Sequence, residues 1–425
     1  MNFLEKDRAH IWHPYTQYAT ATDPIFVDAA KDALLIDEEG NEIIDAVSSW
    51  WVNIHGHSNE RLAAAIHRQF LRCEHVIFAG FTHQAAIDLA SALKPHLPGQ
   101  AEKLFFSDNG STAVEVGVKM AIQYFYNKGE SHRRQVICFD EGFHGETFGA
   151  MSLSGDHDFN NAFKANLFDV KRIPAPIPGQ EELAYQALEQ HLVKGDCAAF
   201  LFEPLVLGAG GMLMYSPEQL SKLIALAKSY GCLTIADEVM TGFGRTGTLF
   251  ACDQSEEKPD IIAMSKGLTG GSMPLGLTSC SEEIFEAFVS KDKLKTFFHG
   301  HSYTGNPLAC AVGLESLAML LEDERQSDIK RIVEKHAVFA EKLSKSPAFK
   351  SVRQCGTILA FEYATEEETG YFNSKRDALY EYFLAKGVLL RPLGNVIYIL
   401  PPYCMTSEEL DKVYSVIEES VNESW

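Results

Sequence analysis

Through the middle of the chain, short runs of apolar residues alternate with longer segments whose apolar positions recur every three or four residues. The runs KLFFSD (103–108), RQVICFD (134–140), CAAFLFEP (197–204), CLTIAD (232–237) and DIIAMS (260–265) show little apolar–polar alternation. A strand covered on one face alternates, so these read as strands buried on both faces. Between them, STAVEVGVKMAIQYFYNKG (111–129) and SPEQLSKLIALAKSYG (216–231) have the helical period. The second carries its own boundary signals. Ser216 can accept from the free N–H groups of the first turn, Pro217 suits the first helical position, and Gly231 closes the helix. Buried strands joined by helices predict an α/β domain with a mostly parallel sheet covered on both sides. Such sheets bind ligands at the loops beyond their carboxyl ends.

The C-terminal third changes character. DIKRIVEKHAVFAEKLSKS (328–346) is an amphipathic helix, and VRQCGTILAFEY, GVLLRPLG and VIYILPPY read as strands before a closing helix near 407–422. This predicts a smaller α+β domain over 322–425, with residues 1–48 packed on it or against the site, and a large domain over 49–321.

The 425 residues are 46% hydrophobic and 22% charged, which suits a large globular unit with a smaller one attached. The net charge of −21 and the lack of any basic stripe argue against a nucleic-acid partner. No run of about 18 apolar residues is present, so no membrane helix is expected. The charged opening MNFLEKDRAH does not read as a secretory leader, and nine cysteines stand singly, an odd number without a CxxC pair. Together these suggest reduced cysteines and a cytoplasmic protein. The histidine pairs at 10/13, 55/57 and 299/301 lack the spacing of known ligand motifs, and no metal centre is expected.

The chemistry gathers at strand ends. LTIAD ends in Asp237, where a carboxylate is unfavourable unless a cation or donors meet it. Read in isolation, Asp237 is a helix cap or pairs with Arg245. DIIAMS is followed by Lys266, and a lysine shielded from water loses its proton readily and becomes a nucleophile toward carbonyls. SDNGST (107–112) sets Gly110, Ser111 and Thr112 at a helix start, where free N–H groups and the helix dipole favour an anion. FDEGFHGET (139–147) brings an aromatic residue and a histidine to the same sheet edge. An acid, a nucleophilic lysine, a phosphate cradle and an aromatic plate describe one cofactor, pyridoxal phosphate.

At this point a resemblance becomes specific. ADEVMTGFGRTG, SKGLTGG and HGHSYTGNPLAC resemble the signature blocks of the class III pyridoxal-phosphate aminotransferases of fold type I, over nearly the whole chain. The resemblance implies a seven-stranded sheet in the large domain, a homodimer with shared active sites, small-molecule substrates and ping-pong transamination. It makes Lys266 the Schiff-base lysine and Asp237 the partner of the ring nitrogen. Gly110 and Ser111 would bind the phosphate, and Phe143 would stack on the ring where the family often has tyrosine. GHSYTG nominates His301 and Ser302 as groups reaching the phosphate of a second subunit, with Gly300 beside substrate. Leu207 stands near a position where glutamine is common.

HIWHPYTQ (10–17), SSWWVNIHGH (48–57) and LLRPLGNVIYILPPY (389–403) are similar to the branch of that class acting in biotin synthesis. That similarity makes Tyr15, Trp50 and Tyr398 substrate-site residues and Arg391 a carboxylate clamp, whose planar fork suits a bidentate partner. If Trp50 and Trp51 are extended, their rings face opposite ways, one toward substrate and one toward the core. The implied acceptor is 8-amino-7-oxononanoate and the implied donor S-adenosylmethionine. Lysine as donor, or an ω-amino acid:pyruvate transaminase, are the alternatives.

Overall fold

The computed structural model describes residues 2–155 and 158–423. Residues 1, 424 and 425, at the outer ends of the expected small domain, lie outside them. Seven strands form the central sheet, in the order Lys103–Ser107, Gly276–Cys280, Ile261–Met264, Leu233–Asp237, Cys197–Phe202, Gln135–Phe139, Lys171–Ile173. All run parallel except Gly276–Cys280, which is antiparallel to both neighbours. That strand, GLTSC, is short and half polar, and hydropathy alone does not mark it. Cys197–Phe202 and Ile261–Met264 are buried at every position, as runs without alternation require.

The helix Gly110–Asn127 lies on this sheet. Gly117 lets it come close, since a Cβ there would stand 3.2 Å from Ile261 Cγ2 and 3.3 Å from Ile235 Cγ2. Its buried face includes Val114, Val116, Val118, Met120, Tyr124 and Phe125. Each large side chain of this kind contributes about 1.5–3 kcal/mol when fully withdrawn from water. The helix starts where it does because the Asn109 side chain accepts from the Thr112 N–H at 3.0 Å, while the Thr112 hydroxyl accepts from the Asn109 N–H at 3.1 Å.

The chain ends meet. Val27–Lys31, Leu34–Asp37 and Glu42–Asp45 form a sheet whose last member is Val388–Leu389, parallel to Glu42–Asp45. Of the predicted strand GVLLRPLG, only Val388–Leu389 is in a ladder. Phe349–Cys355, Ile358–Tyr363 and Val396–Ile399 make a separate three-stranded antiparallel sheet. The amphipathic helix predicted from 328 begins earlier, spanning Asp323–Leu343.

One expectation is overturned at Ser48–Trp51. This segment is a tight turn, with φ of 52° at Ser48, 60° at Ser49 and 66° at Trp51, and is not extended. Non-glycine residues take such angles only when held. Here the Asp45 carboxylate accepts from the N–H groups of Val47 and Ser49, and the Ser48 hydroxyl donates to the Leu400 carbonyl at 2.8 Å.

Candidate active site

At the carboxyl edge of the central sheet lies a cavity of about 370 Å³ lined by Gly110, Ser111, Phe143, His144, Glu203, Asp237, Lys266 and Trp51 among others. The four residues singled out from strand ends and the helix start, Asp237, Lys266, Gly110 and Ser111, share this one wall. So does Phe143.

Lys266 follows the strand Ile261–Met264 and opens a short 3-10 turn, Lys266–Thr269, at a φ of 44°. That strained angle is kept by a buried surround. The ammonium sits over the Trp51 ring, 4.5 Å from its centroid. Burial pulls its pKa from 10.5 to about 8, while Asp237 and Glu203 oppose the shift. Roughly a tenth of the amine is therefore neutral at pH 7, far more than for an ordinary lysine, and that neutral form is what a nucleophile or base needs.

Asp237 is 5% exposed. One oxygen accepts from the Val239 N–H at 3.1 Å and the other pairs with His144 Nδ1 at 2.7 Å. Two donors thus set the plane and direction of the carboxylate. The alternative reading, a pair with Arg245, is not what the fold contains. Arg245 is buried and donates to the carbonyls of Pro401 at 2.7 Å and Asn53 at 3.2 Å, a strut between distant segments. Glu238, the next residue, takes a structural role. Its oxygens accept from Thr241 Oγ1 at 2.7 Å and from the N–H groups of Ala251 and Cys252, and burial pushes its pKa up to about 7.

Gly110 opens the helix Gly110–Asn127 with free N–H groups toward the cavity end. A Cβ at Gly110 would lie 2.7 Å from Val239 Cγ1, and one at Gly145 would collide with the Ser111 hydroxyl. The Ser111 hydroxyl accepts from the Glu146 N–H at 3.3 Å. This is a cradle of backbone and hydroxyl groups that larger residues would fill.

Three residues far apart in sequence, none of them part of the cavity lining, meet beside the wall residues Trp51 and Gly145, and this side is called the mouth. Arg391 lies over the Trp50 ring, 4.3 Å from its centroid, and Tyr15 meets the same ring edge-on at 5.5 Å. The Tyr15 hydroxyl donates to the Glu146 carboxylate, and burial with that carboxylate pushes the phenol's pKa up. Trp50 is 39% exposed, whereas Trp51 is 6% exposed and donates its Nε1–H to the Tyr398 hydroxyl at 3.0 Å. Tyr398 is thereby buried behind Trp51. Gly300 and Ser302 are exposed and do not line the cavity of their own chain. His301 faces the loop before the cradle, with Nδ1 3.6 Å from Asp108. Leu207 is buried in the core, in a two-residue strand.

Three wall residues have no role legible in the sequence. His144 stood in the FHGET block without one, yet it is buried against Asp237 with Nε2 unpartnered. Glu203, from the end of Cys197–Phe202, accepts from the N–H of Phe143 at 2.9 Å and of Gly208 at 2.9 Å. Its only sequence signal is the one that drew attention to Asp237, an acid closing an apolar run. Trp51, expected on the core side, is buried there, and the turn at 48–51 also brings its ring to the lysine. Among the described residues no group of three or more histidine, cysteine, aspartate or glutamate side chains is placed to hold a metal.

The wall fits pyridoxal phosphate. It offers a helix-start cradle cleared of side chains, a flat aromatic residue, a buried carboxylate fixed by two donors and a lysine with lowered basicity. Comparisons with known proteins point the same way. The family described as aminotransferase class-III matches residues 17–421. An adenosylmethionine-8-amino-7-oxononanoate aminotransferase of Synechococcus elongatus is 45% identical, over 97% of this chain and 99% of its own. The solved structure of the protein so named from Methanocaldococcus jannaschii has a TM-score of 0.93 at 34% identity, covering 98% of this chain and 99% of that one. The omega transaminase of Pseudomonas jessenii, solved in complex with PMP, has a TM-score of 0.93 at 25% identity, covering 99% and 98%.

Proposed function

The chain belongs to the class-III aminotransferases, pyridoxal-phosphate enzymes acting on small molecules, and we propose that it aminates 8-amino-7-oxononanoate to 7,8-diaminononanoate with S-adenosylmethionine as donor. The observation that carries this reading is the end-to-end identity with a relative named for that activity. The mouth supports it. Arg391 can hold a substrate carboxylate bidentately, and the exposed face of Trp50 with Tyr15 offers the aromatic surface that an adenosyl group and a sulfonium need.

In this reading Lys266 Nζ would hold the cofactor covalently, Asp237 would accept from its ring nitrogen, and Phe143 would supply the flat surface for its ring. The N–H groups at Gly110 and Ser111 hold its phosphate. Pyridoxal phosphate, when bound, supplies an electron sink that stabilises negative charge at the substrate carbon losing a proton. Lys266 Nζ is the base that takes the proton from the donor's α-carbon, and its lowered pKa suits that work near neutral pH. His144 holds Asp237 in line through Nδ1. Trp51 and Met240 line the apolar side of the cavity, which keeps water from the reacting carbon.

The working unit in this reading is a homodimer, with the loop 300–302 of a second copy completing the phosphate site. Phe298 and Tyr303, 70% and 63% exposed beside that loop, supply apolar surface for such contact. The nine free cysteines suit the cytoplasm. We likewise assign residues 49–321 to a large domain, and 1–48 with 322–425 to a small one. The ladder between Glu42–Asp45 and Val388–Leu389 supports joining the two ends.

The experiment is a pair of half-reactions. The purified enzyme is mixed separately with S-adenosylmethionine and with lysine, and the cofactor's visible absorbance is followed. Its 8-amino-7-oxononanoate return reaction is then run. Loss of the band with S-adenosylmethionine, and recovery on adding the acceptor, is the expected result. A response to lysine alone reverses the donor, and no recovery with the acceptor overturns the function.

A further inference from the structure

Four titratable side chains line the cavity: Lys266, Asp237, His144 and Glu203. The first three are engaged in the chemistry just described, and Glu203 is not. Its carboxylate is held by the N–H groups of Phe143 and Gly208, one on each oxygen, and no ion pair joins it to a described residue. These two bonds fix its position without supplying a full positive charge. Each oxygen keeps a free lone pair. The titratable groups that act on it are His144, whose Nδ1 is taken by Asp237, Asp237 itself and Lys266. Asp237 repels it, and Lys266 is committed to the cofactor. A buried carboxylate left without a cation is unfavourable, and at a ligand cavity it calls for the cation to arrive with the ligand.

The acceptor carries such a cation at a fixed place. In 8-amino-7-oxononanoate the amine is on the carbon next to the ketone, and the carboxylate is at the far end of the chain. The ketone carbon must come to Lys266. The ammonium one bond away then falls inside the same cavity, while the carboxylate extends outward to the mouth, where Arg391 stands. We propose that Glu203 is the specificity-determining residue that pairs with the ammonium beside the acceptor's ketone, an inference that rests on the acceptor assigned above. Burial pushes the Glu203 carboxyl up to about 7, and an ammonium beside it would restore the ionised form.

The test compares two acceptors on one holoenzyme: 8-amino-7-oxononanoate and 7-oxononanoate, the same keto acid without the amine. The readout is the ratio of their kcat/KM values for the wild type and for Glu203→Gln, with the cofactor band confirming loading. The wild type is expected to favour the amine-bearing acceptor at least tenfold, and Glu203→Gln to lower that ratio at least tenfold. Loss of the brace at Phe143 and Gly208 slows both acceptors together and leaves the ratio in place, so an unchanged ratio overturns the proposal. A wild type that uses both acceptors equally also overturns it. A wild type that uses neither removes the acceptor assignment itself, and this inference with it.

Discussion

The cavity floor and the cavity mouth are built by different rules. Each floor residue sits at the end of a strand or the first turn of a helix: Asp237 as the last residue of Leu233–Asp237, Lys266 after Ile261–Met264, Glu203 after Cys197–Phe202, Gly110 at the head of Gly110–Asn127. These elements are buried, and backbone ladders fix them. The mouth is assembled from Tyr15, Trp50, Glu146 and Arg391, which no common element carries. Tyr15 is 44% and Trp50 39% exposed. Groups on the floor are positioned to within the tolerance chemistry demands, whereas groups at the mouth are held by ring contacts and one exposed hydrogen bond. The floor should therefore govern rate and the mouth affinity.

The sharpest way to break that division is Lys266→Ala. Without the base, turnover is expected to fall by about 10⁴-fold or more, measured as steady-state diamine formation. Near-normal turnover would falsify the assignment of the floor as the chemical centre. Asp237→Asn keeps the shape and removes the charge, and a drop in kcat of about 10²–10³-fold is expected, the scale of losing one preorganised electrostatic group. A change below about tenfold, or 1.4 kcal/mol, would move Asp237 to a structural role.

Arg391→Ala tests the other half of the comparison. It should raise KM for the carboxylate-bearing substrate by about 10–100-fold with kcat nearly kept, since an interaction made equally in ground and transition states is lost. A fall in kcat with KM unchanged would place Arg391 in the chemistry and erase the distinction.

The lowered pKa of Lys266 sharpens the floor further. Its neutral form is the nucleophile, and the ammonium gives up its proton around pH 8. The rate at which apoenzyme recaptures pyridoxal phosphate should thus rise about tenfold per pH unit below 8 and level off above it. A rise that continues to the ordinary lysine pKa of 10.5 would show that burial does not lower it. The smallest effect belongs to Tyr15→Phe, which deletes the exposed hydrogen bond to Glu146. A hydrogen bond of this kind contributes about 0.5–1.5 kcal/mol to holding the mouth in place, so KM is expected to change about 2–10-fold at most.

The same contrast explains what the sequence shows. Leu233–Asp237 and Ile261–Met264 are legible because burial on both faces writes a continuous apolar run, and the charged residue that ends such a run is conspicuous. Gly110 and Ser111 are legible from the capping signals of their helix. The strand Gly276–Cys280 escapes notice because its polar residues are satisfied by neighbouring elements, as Thr278 is by donating to the Ala113 carbonyl of the helix Gly110–Asn127 at 2.7 Å. The turn at 48–51 escapes because its strained angles depend on Asp45 and Leu400, not on local preference.

Taken alone, the sequence determined the parallel α/β sheet and the acid, lysine and anion cradle at its edge, because strand period and capping are local properties of neighbouring residues. Only the tertiary structure decided that Trp51 lies against Lys266, that Arg245 is a strut and not the partner of Asp237, and that His144 holds Asp237 in place. It also decided that Glu203 faces the cavity with no ion pair to a described residue. The reason is physical: a side chain's charge state and partner depend on what the rest of the chain brings within a few ångströms of it, and that proximity is set by packing across segments that share no local signal.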